Sequence, residues 1–390
     1  MSFRFETPEC HLAMVSLAFK GGGPEQDTVL LCNALAAKGI RVTILVLRDE
    51  GPLRSLVDPT VRVVVVPERR IRYAVPALRR LIRTLAPTVI GSLGIPSLNL
   101  ATLLAVRTLP REKRPKLVLR EAAVPSMARH DPSWSNWIAY RALRHLYRQA
   151  DRIIAQTDEV ARELAQNFSV PETMISIMRL NAVIPPSLVQ RLAQWDGEAG
   201  RERDLIVCVG RLSREKDHRT LLRAMTLMPS ERPWRLAIVG DGPERAALEA
   251  IACSHGLADR TVFAGYVPDQ IVWMMRASVV VLSSVYEGLP CVIMEALACG
   301  TPVVSTDCPY GPRAILQGGR YGTLTPVADA AAIAAAIAAA LDSSPDRNFL
   351  MRRGLEYTAE CAAARFLEIV ADLDLKTAYP TNSLVVAGTP

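Results

Sequence analysis

The sequence predicts an α/β protein with two domains, and three observations carry that prediction. The chain has 390 residues, which exceeds the usual capacity of one hydrophobic core. Half of the residues are hydrophobic and 22% are charged, as in folded globular proteins and unlike disordered chains. Short β-branched runs alternate with helical segments along the chain, a pattern typical of parallel sheets with crossover helices.

The first half of the chain contains one complete set of α/β elements. Its predicted helices include 26–38, which Gly39 terminates, and 77–85, which ends before Pro87. Strands are predicted at 11–19, 41–47, 61–66, 88–93, 116–120 and 152–156. We therefore assign residues 1–185 to an N-terminal domain.

A polar stretch with few apolar residues separates the two halves, and residues 186–203 are predicted to be a linker. Strands then follow at 205–210, 235–240, 261–264, 279–283 and 302–305, and long helices at 330–341 and 346–373. Residues 204–375 form the second predicted domain, and 376–390 a tail. The result is two Rossmann-like domains facing a central cleft, where open α/β architectures bind ligands.

The net charge of +7 is unevenly distributed. Residues 1–190 carry 26 Lys and Arg against 16 Asp and Glu, a net charge of +10, and residues 191–390 carry 20 against 23, a net charge of −3. The first half is therefore expected to have an anionic partner. A nucleic acid, a phosphorylated acceptor and an anionic membrane surface all fit this charge.

Cysteine usage and hydropathy indicate the compartment. The eight cysteines are scattered and include no C-x-x-C pair, which favours buried thiols in a reducing compartment over a metal site. The first residues show no basic stretch followed by an apolar run, so no signal peptide is predicted. The most apolar segment, 327–341, is too short to span a bilayer. We expect a cytoplasmic or peripheral protein.

A glycine cluster, Gly21, Gly22 and Gly23, lies between the first predicted strand and helix. Glycines at a helix start allow backbone N–H groups to approach an anion, but an ordinary flexible turn has the same pattern. The spacing does not match the GxxxxGK[ST] loop of nucleoside triphosphatases.

Two cations follow the first strand of the second domain. Arg211 and Lys216 lie five residues apart in the loop after Gly210, just before a helix predicted to begin near Asp217. Such a loop can bind a diphosphate, with Arg as a planar fork and Lys as a mobile point charge. A solvated charged loop is the alternative.

Two carboxylates follow another strand at a fixed spacing. Glu287 and Gly288 come after the strand at 279–283, Pro290 suits the first helical position, and Glu295 then lies about a turn and a half into that helix. Free N–H groups at a helix start favour a phosphate, and carboxylates accept hydrogen bonds from hydroxyls. A sugar attached to a nucleotide supplies both.

The second half resembles the retaining glycosyltransferases of the GT-B fold, family 4. Glu287 and Glu295 match the E-x7-E motif of that family, and the loop after the first strand matches its G-R-L-x-x-x-K motif. The resemblance is close over residues 205–345 and loose in the first half. Further matches are Asn181, Gly240-Asp241-Gly242-Pro243, Gly265-Tyr266-Val267 and 305–312.

The resemblance implies roles for individual residues. Arg211 and Lys216 would bind the donor diphosphate, Glu287 the donor sugar and Glu295 the ribose hydroxyls. The loop from Gly210 and the backbone of Gly288 and Leu289 would complete the donor site, with Val267 beside the base. The resemblance also implies that no metal ion is needed, and no cofactor is expected because the nucleotide sugar is a substrate.

Two departures from the family pattern concern the acceptor side. Many members have a histidine after the strand at 116–120, where this chain has Arg120 and Glu121. We group Arg120 with the glycine cluster as a candidate acceptor or phosphate site. Ala314 also stands where related sequences carry a glutamate.

Two segments of the first half combine arginines with aromatic residues. One, 68–83, contains six arginines, including Arg79, Arg80 and Arg83. The other, 127–148, mixes arginines with Trp134, Trp137, Tyr140 and Tyr147. Basic amphipathic helices with aromatic edges bind membrane interfaces, although a core helix with a solvated basic face gives the same pattern.

The favoured function is transfer of a sugar from a UDP- or GDP-sugar to a lipid-linked or glycan acceptor at the inner face of the cytoplasmic membrane. A nucleotide-sugar epimerase of the same fold is one alternative. A nucleic-acid-binding protein is another, disfavoured because no recognition motif is present.

Overall fold

The computed structural model describes residues 10–20, 22–121, 134–179, 181–195 and 200–373. The chain divides into two compact units, one made of Met1–Arg179 with Ala362–Pro390 and the other of Leu180–Cys361. The sequence placed the first boundary after residue 185 and ended the second domain at 375. In the structure the first boundary lies six residues earlier, after residue 179, and the segment from residue 362 onward belongs to the first unit.

The first unit is built on one parallel sheet. In its described part, seven strands run in the spatial order 3-2-1-4-5-6-7. The strands are β1 His11–Ala18, β2 Arg41–Arg48, β3 Arg62–Val65, β4 Val89–Ser92, β5 Lys116–Glu121, β6 Arg152–Ala155 and β7 Ile175–Ile177. The helices between them are α1 Gly23–Ala37, α2 Ala74–Leu85, α3 Pro96–Arg107, α4 Trp134–Leu146 and α5 Asp158–Asn167.

The central strands of the first unit are apolar because helices cover both faces of a parallel sheet. Leu12, Ala13, Met14 and Val15 of β1 are all buried. The sheet reverses its order between β1 and β4, which are hydrogen-bonded neighbours. Open α/β sheets bind ligands beside such a switch point, at the carboxyl ends of the strands.

The second unit repeats this architecture. Among its described residues, six parallel strands run in the order 10-9-8-11-12-13. The strands are β8 Leu205–Val209, β9 Arg235–Val239, β10 Thr261–Gly265, β11 Val279–Leu282, β12 Val303–Thr306 and β13 Thr323–Thr325. The helices are α6 Pro186–Ala193, α7 His218–Met225, α8 Arg245–Ser254, α9 Ile271–Arg276, α10 Cys291–Ala298, α11 Pro312–Ile315, α12 Ala330–Asp342 and α13 Arg347–Gly354, and α14 Ala359–Ala371 crosses into the first unit.

The second sheet is also buried on both faces. Leu205, Val207 and Val209 of β8 pack into one apolar cluster. Ile206 and Cys208 point the other way, into a second cluster. This alternation follows from the period of two in a strand, and it anchors the loop that follows β8.

Three sequence expectations about elements differ from the structure. The predicted linker contains α6, and the short strands β7 and β13 were not predicted. The predicted helix at 346–373 is divided into α13 and α14. The division arises because Thr358 leaves the helical conformation, with ψ of 155°, and pairs with Ile184 in a parallel bridge.

Candidate active site

The loops that follow β8 and β11 meet at one edge of the second sheet. The two strands are parallel neighbours, so their carboxyl ends lie at the same edge. The Ser283 hydroxyl donates a hydrogen bond to the carbonyl of Lys216 at 2.9 Å, and the N–H of Val285 donates to the carbonyl of Glu215 at 2.8 Å. These bonds fix one loop against the other.

Lys216 and Glu287 form an ion pair at this edge. Lys216 Nζ lies 2.5 Å from Glu287 Oε1, and the side chains are 22% and 10% exposed. The same oxygen accepts a hydrogen bond from Ser284 Oγ at 2.6 Å. Thr306 Oγ1 in turn donates to the carbonyl of Ser284 at 2.6 Å. A cation and a carboxylate 71 positions apart in the chain are thus held in direct contact.

Arg211 lies in the same loop and is exposed. The structure shows no side-chain hydrogen bond or ion pair of Arg211 to any other described residue. A guanidinium and an ammonium in one loop can bind a dianion in two ways, because Arg forms paired hydrogen bonds and Lys acts as a point charge.

Glycines bring the loops of this edge into backbone contact. A Cβ on Gly240 would lie 1.9 Å from the carbonyl oxygen of Gly210, and Gly240 has a φ of 142°. A Cβ on Gly311 would lie 2.1 Å from the carbonyl oxygen of Gly288. Only glycine permits these approaches, which leave these loops little room to shift.

Glu295 lies on α10 and is 4% exposed. Pro290 is the N-cap of this helix, not its first helical residue as predicted, because its ψ of 106° is still extended. Glu295 Oε1 accepts a hydrogen bond from Gln270 Nε2 at 3.1 Å. Burial raises the pKa of Glu295 to about 7, partly offset by the Gln270 hydrogen bond and reinforced by the charge of Asp269.

The remaining predicted donor residues lie in the same unit. Leu289 is buried in the apolar cluster beneath the site, and Val267 packs partly buried against that cluster. Gly288 lies between Glu287 and Leu289 and contributes the carbonyl that approaches Gly311. All of these positions belong to loops at carboxyl ends of strands, except Glu295 on its helix.

The cysteines and the histidine near this ion pair are uncharged near neutral pH. Burial raises the pKa of Cys208 to about 12, and it does the same for Cys308. Burial lowers the pKa of His218 to about 4, with a further contribution from Lys216. Thiolate chemistry is therefore disfavoured here, because only the thiolate is nucleophilic.

The candidate acceptor residues belong to the first unit. Gly22 is the N-cap of α1 and Gly23 its first residue, whereas Gly21 lies outside the described residues. Arg120 lies within β5, is 1% exposed and forms a buried ion pair with Asp27. Its assignment as an acceptor or phosphate residue remains a prediction, one that would require the guanidinium to exchange that partner.

The aromatic-basic segments are only partly exposed. Arg79, Arg80 and Arg83 are exposed on α2, and Trp137 on α4 is 43% exposed. In the second segment, residues 127–133 lie outside the described residues, and the rings of Tyr140 and Tyr147 are buried. Tyr140 and Tyr147 both donate hydrogen bonds to the Glu121 carboxylate.

Sequence reasoning assigned no role to several residues that support the site. Ser283, Ser284 and Thr306 follow or end buried strands and bind the loop backbone or Glu287. Hydroxyl residues directly after a run of valines were a usable signal, because strand ends in parallel sheets carry ligand sites. Gln270 gave no such signal, since its role depends on a contact with a distant helix.

Comparisons with known proteins decide the family. The model described as glycosyl transferases group 1 matches residues 203–343, and the glycosyl transferase 4-like domain matches residues 22–179. The chain belongs to the family 4 glycosyltransferases of the GT-B fold. The glycosyltransferase therefore carries both domains of this family in the expected order.

Individual relatives agree with this family. The lipopolysaccharide core biosynthesis glycosyltransferase LpsE of Rhizobium meliloti (strain 1021) is 26% identical over 90% of this chain and 96% of its own. A 4-alpha-N-acetylgalactosaminyltransferase of Campylobacter jejuni, named for a diphospho-undecaprenol-linked substrate, is 26% identical over 54% of this chain and 56% of its own.

A solved structure supports the fold. Anabaena Alr3699/HepE, crystallised with UDP and glucose, superposes with a TM-score of 0.73 over 93% of this chain and 99% of its own, at 19% identity.

In the described part of the glycosyltransferase, no helix is long and apolar enough to cross a membrane. No group of three or more metal-binding side chains occurs there either.

Proposed function

We propose that the glycosyltransferase is a retaining, metal-independent enzyme that moves a sugar from a UDP- or GDP-linked donor to a lipid-linked or glycan acceptor in cell-surface polysaccharide or glycoconjugate synthesis. The contact between Lys216 and Glu287 carries this proposal. It places an ammonium suited to a diphosphate within 2.5 Å of a carboxylate suited to sugar hydroxyls.

The donor chemistry follows from these charges. When the bond between the anomeric carbon and the diphosphate oxygen breaks, negative charge grows on the diphosphate. Lys216 and Arg211 would stabilise that charge. The acceptor oxygen bonds to the anomeric carbon, and its proton passes to a donor phosphate oxygen. Ser284 orients Glu287 toward the donor sugar. Because the donor phosphate takes the proton and the two cations stabilise the diphosphate, the reaction needs no protein base on the acceptor side and no metal ion.

The relatives support the donor and acceptor classes. HepE was crystallised with UDP and glucose, and the names of LpsE and the Campylobacter enzyme refer to lipopolysaccharide and to a lipid diphosphate. A lipid-linked acceptor is anchored to a membrane by its lipid. The exposed arginines of α2 fit docking of this chain on the anionic inner face of the cytoplasmic membrane.

A release assay tests the proposed function. The chain is incubated with UDP-glucose, UDP-N-acetylglucosamine or GDP-mannose, with and without a detergent-solubilised fraction of lipid-linked glycans, and with or without EDTA. We expect release of nucleoside diphosphate that depends on the acceptor fraction and survives EDTA. Conversion of the sugar without release would indicate an epimerase. Loss of activity restored by magnesium or manganese would contradict metal independence.

A further inference from the structure

The carboxylate of Glu295 is incompletely satisfied in its buried position. Gln270 Nε2 donates to Oε1 at 3.1 Å, whereas Oε2 is buried and has no hydrogen-bond partner among the described residues. Buried polar atoms are almost always hydrogen-bonded. An open acceptor on a side chain that is 4% exposed is therefore suited to an incoming donor group.

Gln270 is anchored independently of Glu295. It is the N-cap residue of α9, and its carbonyl accepts hydrogen bonds from the N–H groups of Trp273 at 3.1 Å and Met274 at 3.3 Å. Its side chain crosses to α10. Because its backbone is fixed by one helix and the carboxylate by another, the amide determines which carboxylate oxygen stays open.

An amide is well suited to this task. It occupies one oxygen with a neutral hydrogen bond and does not neutralise the carboxylate as a lysine or an arginine would. The ionised carboxylate then keeps its strength as an acceptor at the other oxygen, and charge-assisted hydrogen bonds are the stronger class.

We propose that Gln270 is a positioning residue that holds Oε1 of Glu295 so that Oε2 accepts a hydrogen bond from a ribose hydroxyl of the donor nucleotide. The proposal rests on the proposed function, in which Glu295 binds the ribose. It adds the residue that orients the carboxylate and thereby sets the preference for ribose over deoxyribose.

The charges around Glu295 give the proposal a pH signature. Burial raises the pKa of Glu295, the Gln270 hydrogen bond lowers it, and Asp269 raises it. Asp269 pairs with Arg191 at 2.6 Å. The other nearby groups are Cys299, at the end of α10, and Arg201, whose guanidinium donates to the carbonyl of Cys299 at 2.7 Å.

The ionised carboxylate is the stronger acceptor for a hydroxyl. Nucleotide affinity is therefore expected to fall as the pH drops below about 7. Without the Gln270 hydrogen bond, only burial and Asp269 act on the pKa of Glu295, and both raise it. The midpoint of the pH dependence of nucleotide affinity should therefore move upward.

Calorimetric titration from pH 6 to 9 tests the proposal. UDP, GDP and ADP are compared first, and the diphosphate that binds most tightly is then compared with its 2′-deoxy and 3′-deoxy forms. We expect the wild-type chain to bind one deoxy form about 10- to 100-fold more weakly. In Gln270→Met this discrimination should fall to about threefold or less. Gln190→Met makes the same change at an exposed glutamine of the same unit and should keep the wild-type values.

The outcomes separate the proposal from the function on which it rests. If the wild-type chain binds none of the diphosphates, the proposed donor class is wrong and the inference falls with it. If the wild-type chain binds and discriminates while Gln270→Met shows the same discrimination and pH midpoint, only the role of Gln270 is overturned. Thermal unfolding of each variant establishes that it is folded.

Discussion

At the scale of single residues, one contact changes what the two donor-site charges are expected to do. The sequence assigns Lys216 to the diphosphate and Glu287 to the sugar, and these separate roles alone would imply that loss of Glu287 leaves the binding of sugar-free nucleotide nearly unchanged. In the structure the two side chains are bonded to each other. A bound diphosphate must therefore compete with Glu287 for the Lys216 ammonium.

Glu287→Gln should consequently bind sugar-free UDP more tightly than the wild-type chain while transferring sugar more slowly. An ion pair of this exposure is worth about 1 kcal/mol, which corresponds to roughly fivefold in affinity. Calorimetry with UDP and steady-state kinetics measure the two effects. Glu244→Gln removes the partner of Arg219 and serves as the control. Weaker UDP binding in Glu287→Gln would contradict competition between the carboxylate and the diphosphate.

Glu295 should impose a pH-dependent cost on stability. Its pKa in the folded chain is about 7, above the ordinary glutamate value, so the folded chain holds this proton at pH values where the unfolded chain has lost it. The contribution of Glu295 to the free energy of unfolding therefore falls as the pH rises from about 4 to 7, and the loss is complete above that range.

Glu295→Gln removes this cost and should be more stable than the wild-type chain by on the order of 2 kcal/mol at pH 8. Little difference is expected near pH 4. Thermal unfolding at several pH values measures the gain, with Glu249→Gln as a control at an exposed glutamate of the same unit. A gain that is equal at pH 4 and pH 8 would exclude ionisation of Glu295 as its source.

At the scale of elements, the sequence was most informative where strands are long and buried. Runs such as 41–48 and 205–209 have enough β-branched residues to be recognised. The edge strands β7 and β13 have three residues each, too few to show a period. The break between α13 and α14 depends on a bridge to Ile184, which no local pattern encodes.

The candidate site was predictable in its charged residues but not in the contacts that orient them. Its charged residues stand in recognisable motifs after buried strands, whereas the contacts that orient them come from elsewhere in the chain. Thr306 and Gln270 each act through a partner on another loop or helix, and Ser284 acts through Glu287 in its own loop. Hydroxyl residues after a run of valines mark candidate positions, but their partners are set by the packing of elements, so spacing along the sequence does not reveal those partners.

The glycine contacts between loops should be essential to the structure at this end of the second sheet. Gly240→Ala would bring a Cβ to 1.9 Å from the Gly210 carbonyl oxygen at a φ of 142°, so we expect a loss of more than about 2 kcal/mol in the free energy of unfolding. Gly256 also has a positive φ but no atom near its Cβ position. Gly256→Ala should therefore cost only about 1 kcal/mol. Denaturant unfolding compares the two, and equal losses would contradict the importance of the close approach.

At the scale of the whole molecule, the positive net charge of the first half predicts salt-dependent docking on anionic membranes. Sedimentation with phosphatidylglycerol vesicles should carry the chain down at low salt and release it at about 0.5 M salt. Arg80→Ala with Arg83→Ala should weaken binding by roughly 1 kcal/mol per charge.

A matched pair of substitutions controls for loss of charge as such. Arg203 and Arg214 are 94% and 93% exposed and belong to the second unit, so their replacement by alanine should leave vesicle binding nearly unchanged. Equal binding to neutral and anionic vesicles would contradict the electrostatic docking. Buried Tyr140 and Tyr147 are expected to contribute nothing to it.

Through α14, the C-terminal part of the chain belongs to the same unit as the N-terminal part. Its residues from Ala362 onward belong to the first unit, where Phe366, Ile369 and Val370 are buried. In the sequence, the second unit is an insertion in the first unit that begins at residue 180 and ends at residue 361. A fragment cut at residue 179 would lack a core helix, and a truncation at residue 361 would damage the half of the protein that is farthest away along the sequence.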